Sequence, residues 1–288
     1  MRKLSLFILV LLFACKSDKK NHYFDAVKDN DVALFPPAPG EWLYEHKEKG
    51  QTFEQFLKTK HVVPTKEQNV IYIQPIGKFN VLQTKQIDLT RAYLEIFFQL
   101  KTKILETKSN DIIPSHVRRI GGEGQEQFLA GYILDSILIK QKPSDRIALM
   151  GLTEVDLYPK PEWNFVFGLA SYSQKTGVSS IFRLQDGELT EANFNKCLDR
   201  LLKICSHEIG HMFGLHHCTA ADCVMNGTNS LSETDKHTVR LCSVCQRKLN
   251  SGIKYNNAKR LADLEKYFKA NNLKESAALM HKDLESIQ

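Results

Sequence analysis

Apolar residues recur along this chain in two periods, and the switch between them marks out the elements. Residues 70–73 form a short unbroken apolar run, which predicts a buried first strand. Residues 89–105 follow a helical period behind Asp88 as cap, and residues 125–139 read as a second helix. Two further apolar runs, 146–152 and 164–170, predict strands. Gly177 then breaks into 178–184, an expected edge strand that ends at the turn residues Asp186 and Gly187. Thr190 is the expected cap of a long helix whose stripe is Phe194, Leu198, Leu201, Cys205, Ile209 and Met212. Alternation of helix and strand favours an α/β (α+β) fold, a mixed sheet covered by helices.

The ends of the chain break this pattern. Arg2 and Lys3 precede an apolar run to Ala14, too short to span a bilayer, and then Cys15 and a polar stretch. This order resembles a bacterial lipoprotein signal over residues 1–14, with Cys15 lipidated; an ordinary cleaved secretion signal is the alternative. It implies a protein of the bacterial cell envelope, lipid-anchored and facing the periplasm or the cell surface. Residues 15–34 would be a polar tether. After the prolines at 36, 37 and 39, the aromatic residues Trp42, Phe53 and Phe56 suggest that 35–65 is an extension packed on a main domain of 66–255. Residues 256–288 read as a charged helical tail on the surface.

Composition adds little. Hydrophobic content of 42% and charged content of 25% suit an ordinary globular chain. The net charge of +6 comes from lysines mixed with acids, not from a basic stripe, so nucleic acid is not an expected partner and a monomer is expected.

Chemistry concentrates where the long helix ends. His207 and His211, four apart, share one helix face and can hold one metal ion. Glu208 lies beside them without competing for the metal and is free to act as a base. Gly214 lets the helix stop and His217 return as third ligand, leaving a fourth position of a tetrahedral zinc open. His216 is one residue out of register and is expected outside the ligand set. Of seven cysteines, Cys218, Cys223, Cys242 and Cys245 form two pairs with the spacing of a closed four-thiolate zinc site. Two disulfides are the alternative, since export permits oxidation. Cys197 and Cys205 fall on the apolar side of the helix and read as core.

These residues together resemble the archaemetzincins, a branch of the metzincin metallopeptidases. The resemblance spans residues 35–255 and includes Asp156 to Pro159 and Trp163 to Ala170 ahead of the motif helix. Only the Met225 to Cys242 spacing departs from the family, by one residue in a loop. The family implies a zincin-like fold with two zinc ions per chain, one catalytic and one structural on the four cysteines. It implies Met225 in a turn beneath the metal, and Glu208 moving a proton from the attacking water to the leaving amine during peptide hydrolysis. A peptide substrate is expected to add as a strand along 178–184. A catalytically silent metal-binding module on the same fold is the competing reading.

Overall fold

The computed structural model describes residues 23–141 and 143–287, so Cys15 and the signal-like segment lie outside the described residues. A five-stranded mixed sheet forms the centre. In chain order its strands are β1 (Val70–Ile76), β2 (Thr102–Ile104), β5 (Arg146–Thr153), β7 (Gly168–Ser171) and β8 (Thr176–Ser180). They lie in the order β2-β1-β5-β8-β7, parallel except for β7. A smaller sheet joins β3 (Arg118–Ile120), β4 (Glu126–Leu129) and β6 (Asp156–Tyr158). Five helices longer than ten residues are described: α1 (Val81–Phe98), α2 (Phe194–Met212), α3 (Ser243–Ile253), α4 (Asn257–Ala270) and α5 (Lys274–Ser286). None of the described helices is long and apolar enough to cross a membrane.

The central strands β1 and β5 are buried on both faces almost throughout, which is why they read as largely apolar runs. Helix α2 places its whole expected stripe in the core; Phe194, Leu198, Leu201, Cys205, Ile209 and Met212 are all buried. Cys197 is buried there too, with its thiol pushed up to about 11 by burial, in keeping with an inert core residue.

Several elements differ from the expectation. The first helix starts eight residues before Leu89, because Asn80 and Gln83 form a capping box that the polar sequence 81–88 conceals. It stops at Gln99, which is left-handed with φ 49°, so 102–104 can return as β2. Residues 126–129 of the expected second helix are strand β4, held between β3 and β6. Asn193, not Thr190, occupies the cap position of α2, and the Thr190 amide donates to its side chain. The run 178–184 is not an edge: β8 ends at Ser180 and pairs with β5 on one side and β7 on the other, while 182–185 form a 3₁₀ turn. The terminal strand on this side of the sheet is β7.

Both ends of the described residues are built into the core. Residues 23–30, expected in a tether, form two short helical turns with Phe24 and Val27 buried. Helices α4 and α5, expected as a surface tail, bury Leu261, Leu264, Phe268 and Met280, and Arg260 donates to the Phe97 carbonyl at 2.6 Å. One buried cation ties the ends together. Arg240 pairs with Asp31 and Asp283, both at 2.7 Å, and donates to the Val27 carbonyl.

Candidate active site

Helix α2 brings its C-terminal turn to a cavity of about 910 Å³ that opens beside β7. His207 and His211 project from that turn; Gly214 has φ 97°, a conformation a side chain would strain, and this sharp bend returns His217 to them. The three rings lie at centroid distances of 4.5, 5.2 and 5.0 Å. One nitrogen from each can be chosen so that all three lie within 4.8 Å of one another. The His207 and His211 Nε2 atoms are 2.9 Å apart. Two imidazole lone pairs facing at that distance repel unless a cation or proton lies between them.

Each ring is fixed through its other nitrogen. His207 Nδ1 is 2.8 Å from the Val224 carbonyl and His211 Nδ1 is 2.7 Å from the Leu215 carbonyl. His217 Nδ1 is 2.9 and 3.0 Å from the two carboxylate oxygens of Glu48. Acceptors at all three Nδ1 atoms select the Nδ1–H tautomer and leave Nε2 free, the form that binds metal. Burial, reinforced by neighbouring His217, pushes the His207 imidazole down to about 3, and burial with the other two rings holds His211 well below its ordinary value. Both are thus neutral. The residues fit zinc.

Glu208 is 7% exposed, and burial pushes its carboxyl up to about 8. Its carboxylate lies against β7, where a Cβ on Gly168 would come within 2.6 Å of Oε1. Met225 is buried beneath the site, its Sδ packed on Gly210 between the two helical histidines. His216 is exposed and outside the cluster, as its register suggested.

The four cysteines form a second, closed cluster. Sγ atoms of Cys218, Cys223, Cys242 and Cys245 lie within 4.8 Å of one another, all buried and all free. The Cys218–Cys242 separation of 3.7 Å matches the edge of a tetrahedron with Zn–S bonds of about 2.3 Å. Backbone amides of Cys242 and Met225 point at the Cys223 sulfur, as a thiolate requires. One peptide bond, between His217 and Cys218, joins the two clusters.

Three residues of the site are not legible in the sequence as part of it; Trp42 signals only that its segment packs on the main domain. Glu48 and Trp42 arrive on a strap, residues 41–51, that crosses beside His217; Trp42 meets the His217 ring edge-on at 5.0 Å. Tyr172 follows β7, its hydroxyl 2.8 Å from His211 Nδ1, and burial together with the charges of Glu208 and Glu48 keeps the phenol protonated. None of the three lies within a recognisable motif, and only the fold brings them to the histidines.

A family model described as Peptidase family M54 matches residues 131–251. Archaemetzincin-2 of Mus musculus is 33% identical, covering 85% of this chain and 78% of that protein. The archaemetzincin of Thermococcus kodakarensis is 39% identical over 43% of this chain and 67% of its own length. The crystal structure of archaemetzincin from Methanopyrus kandleri, at 27% identity, covers 66% of this chain and 98% of that one with a TM-score of 0.53. The relatedness extends well beyond the histidine motif, and the chain belongs to the archaemetzincin family of zinc metallopeptidases.

Proposed function

We propose that His207, His211 and His217 hold the catalytic zinc, that Glu208 is the proton carrier of peptide hydrolysis, and that the four cysteines hold a second, structural zinc. The single observation that carries this reading is the set of Nδ1 anchors, which turn three free Nε2 atoms toward one point. Zinc there supplies a Lewis acid that acidifies a water and polarises the scissile carbonyl. Glu208, buried against Gly168, would accept the proton of the attacking water and return it to the leaving amine. The Gly168–Ser171 edge offers unpaired amides and carbonyls to an extended peptide. Tyr172 steadies His211.

The enzyme acts, in this reading, as a monomer at a bacterial envelope, anchored by lipid on Cys15. The lipid anchor alone is supported by the residue order basic, apolar, Ala14, Cys15, polar. The central test is Glu208→Gln. Peptide hydrolysis should fall by about 10²–10⁴-fold while metal analysis still finds zinc. Loss of zinc together with activity would make Glu208 a ligand; full activity would remove it from the mechanism.

A further inference from the structure

The strap contributes more than a contact to His217. It is pinned at both ends: the Trp42 amide donates to Glu233 at 2.8 Å, and Gln51 donates to the Gly214 carbonyl and accepts from Lys248. Between these points Trp42, Glu48, Lys49 and Gly50 line the same cavity as β7. Trp42 lies so close to Gly227 that a Cβ there would meet its ring at 2.5 Å. From Trp42 the aromatic row continues to His46, at 4.2 Å between centroids. His46 then stacks on Trp163 of the opposite wall at 6.0 Å and 14°. A side chain of the strap therefore reaches across to the segment that leads into β7. The cleft is bridged at that end.

The peptidase reading gives this bridge a direction. Glu208 abuts Gly168, so the scissile bond lies opposite the start of β7. A peptide adding to a free edge makes its stronger ladder antiparallel. Its residues before the scissile bond then run beside Leu169 and Ala170, and those after it run back toward Trp163. Three ring-to-ring steps separate His217 from Trp163, and an extended chain advances about 3.3 Å per residue, leaving room for no more than about four residues there. The wall at this end is cationic. Lys160 Nζ is 5.5 Å from the Trp163 ring centroid, and Lys49 also lines the cavity, while the carboxylate of Glu48 is taken by His217.

We infer that the strap closes the cleft on the side that receives the residues after the scissile bond, making the enzyme selective for peptides with few residues and a free carboxylate at that end. The inference rests on the proposed peptidase function. Two peptide series test it with the zinc-loaded protein, one lengthened after the cleaved bond and one lengthened before it. Lengthening beyond four residues after the bond should lower kcat/KM, and amidating the C-terminus should cost about tenfold, as loss of a charge-assisted contact does. Lengthening before the bond should change little, and His46→Ala should relax the limit. Equal tolerance of long extensions, or a limit on the other side, overturns the inference and leaves the peptidase intact.

A second readout works even if no peptide is cut, the outcome that would sink the peptidase reading. The chain has two tryptophans, and both belong to this row, so selectively excited tryptophan emission reports on it alone. In Glu208→Gln, a tetrapeptide acid should perturb that emission at lower concentration than its amide. Indistinguishable titrations would overturn the inference.

Discussion

At the scale of single residues, two contacts outside the motif decide how well the histidines and Glu208 are held. Glu48 accepts from His217 and fixes its tautomer, so Glu48→Ala should weaken zinc binding about 10–100-fold, as loss of such partners does. Glu48→Gln keeps an acceptor oxygen and should restore much of it. Competition with a chromogenic chelator measures both; unchanged affinity in the alanine variant would make the contact incidental. Gly168 is the other. A methyl there would stand 2.6 Å from Glu208 Oε1, and the carboxylate is the part that must yield. Gly168→Ala should lower kcat with the thermal midpoint nearly unchanged, a split that steady-state kinetics and calorimetry would reveal. The histidine cluster was legible because one metal ion would demand fixed spacings within a single run, 207–217. Glu48 and Tyr172 were not, since they stand 169 and 39 residues from the histidines they touch and share no period with them.

Among the elements, α2 does two jobs on opposite faces. Its stripe was legible because burial against a sheet enforces a 3.6-residue period. What the pattern could not reveal is that its other face is also covered, with Arg200 only 2% exposed. Arg200 pairs with Asp235 at 2.6 Å and Asp186 at 2.9 Å. Hydrogen bonding to Arg200 holds the Asp186 carboxyl below its ordinary value; burial opposes ionisation at Asp235, but the guanidinium outweighs it and that carboxyl is lowered too. Carboxyls depressed by folding stabilise the fold above their unfolded pKa of about 3.9 and lose that contribution as pH falls through the folded values. Asp235→Asn should therefore cost about 2 kcal/mol at pH 7, the worth of a charged hydrogen bond, and converge on the wild type near pH 2. Urea unfolding at the two pH values checks the sign; a constant gap would mean the ion pair is not its source. The edge strand was misplaced for a related reason. Residues 178–180 and 168–171 are both short and semi-polar, and pairing partners, which no local period encodes, decide which one is left free.

For the whole molecule, the two candidate metal clusters differ in access. The histidines open on the cavity, whereas the four cysteines are buried. A mild chelator should remove one zinc and all activity while circular dichroism stays native, and the second zinc should leave only on unfolding. Metal analysis during dialysis follows both steps. One zinc throughout, with disulfides found by mass spectrometry among Cys218, Cys223, Cys242 and Cys245, would refute the second site.

The Arg240 clasp has a consequence in time. It needs Asp31 from the beginning of the described chain and Asp283 from near its end, and Ser243, between Cys242 and Cys245, donates its amide to the same Asp31. Contacts of such sequence separation form late, after the loop between them has been closed. A chain growing at about 5–20 residues per second cannot complete this corner until its last helix has emerged. The histidines, Glu208 and all four cysteines are synthesised well before that, while Arg240, between Cys223 and Cys242, still lacks its partner Asp283. The corner is thus completed only by α5, and a chain cut before Asp283 should leave the buried Arg240 guanidinium half-paired, which lowers its stability.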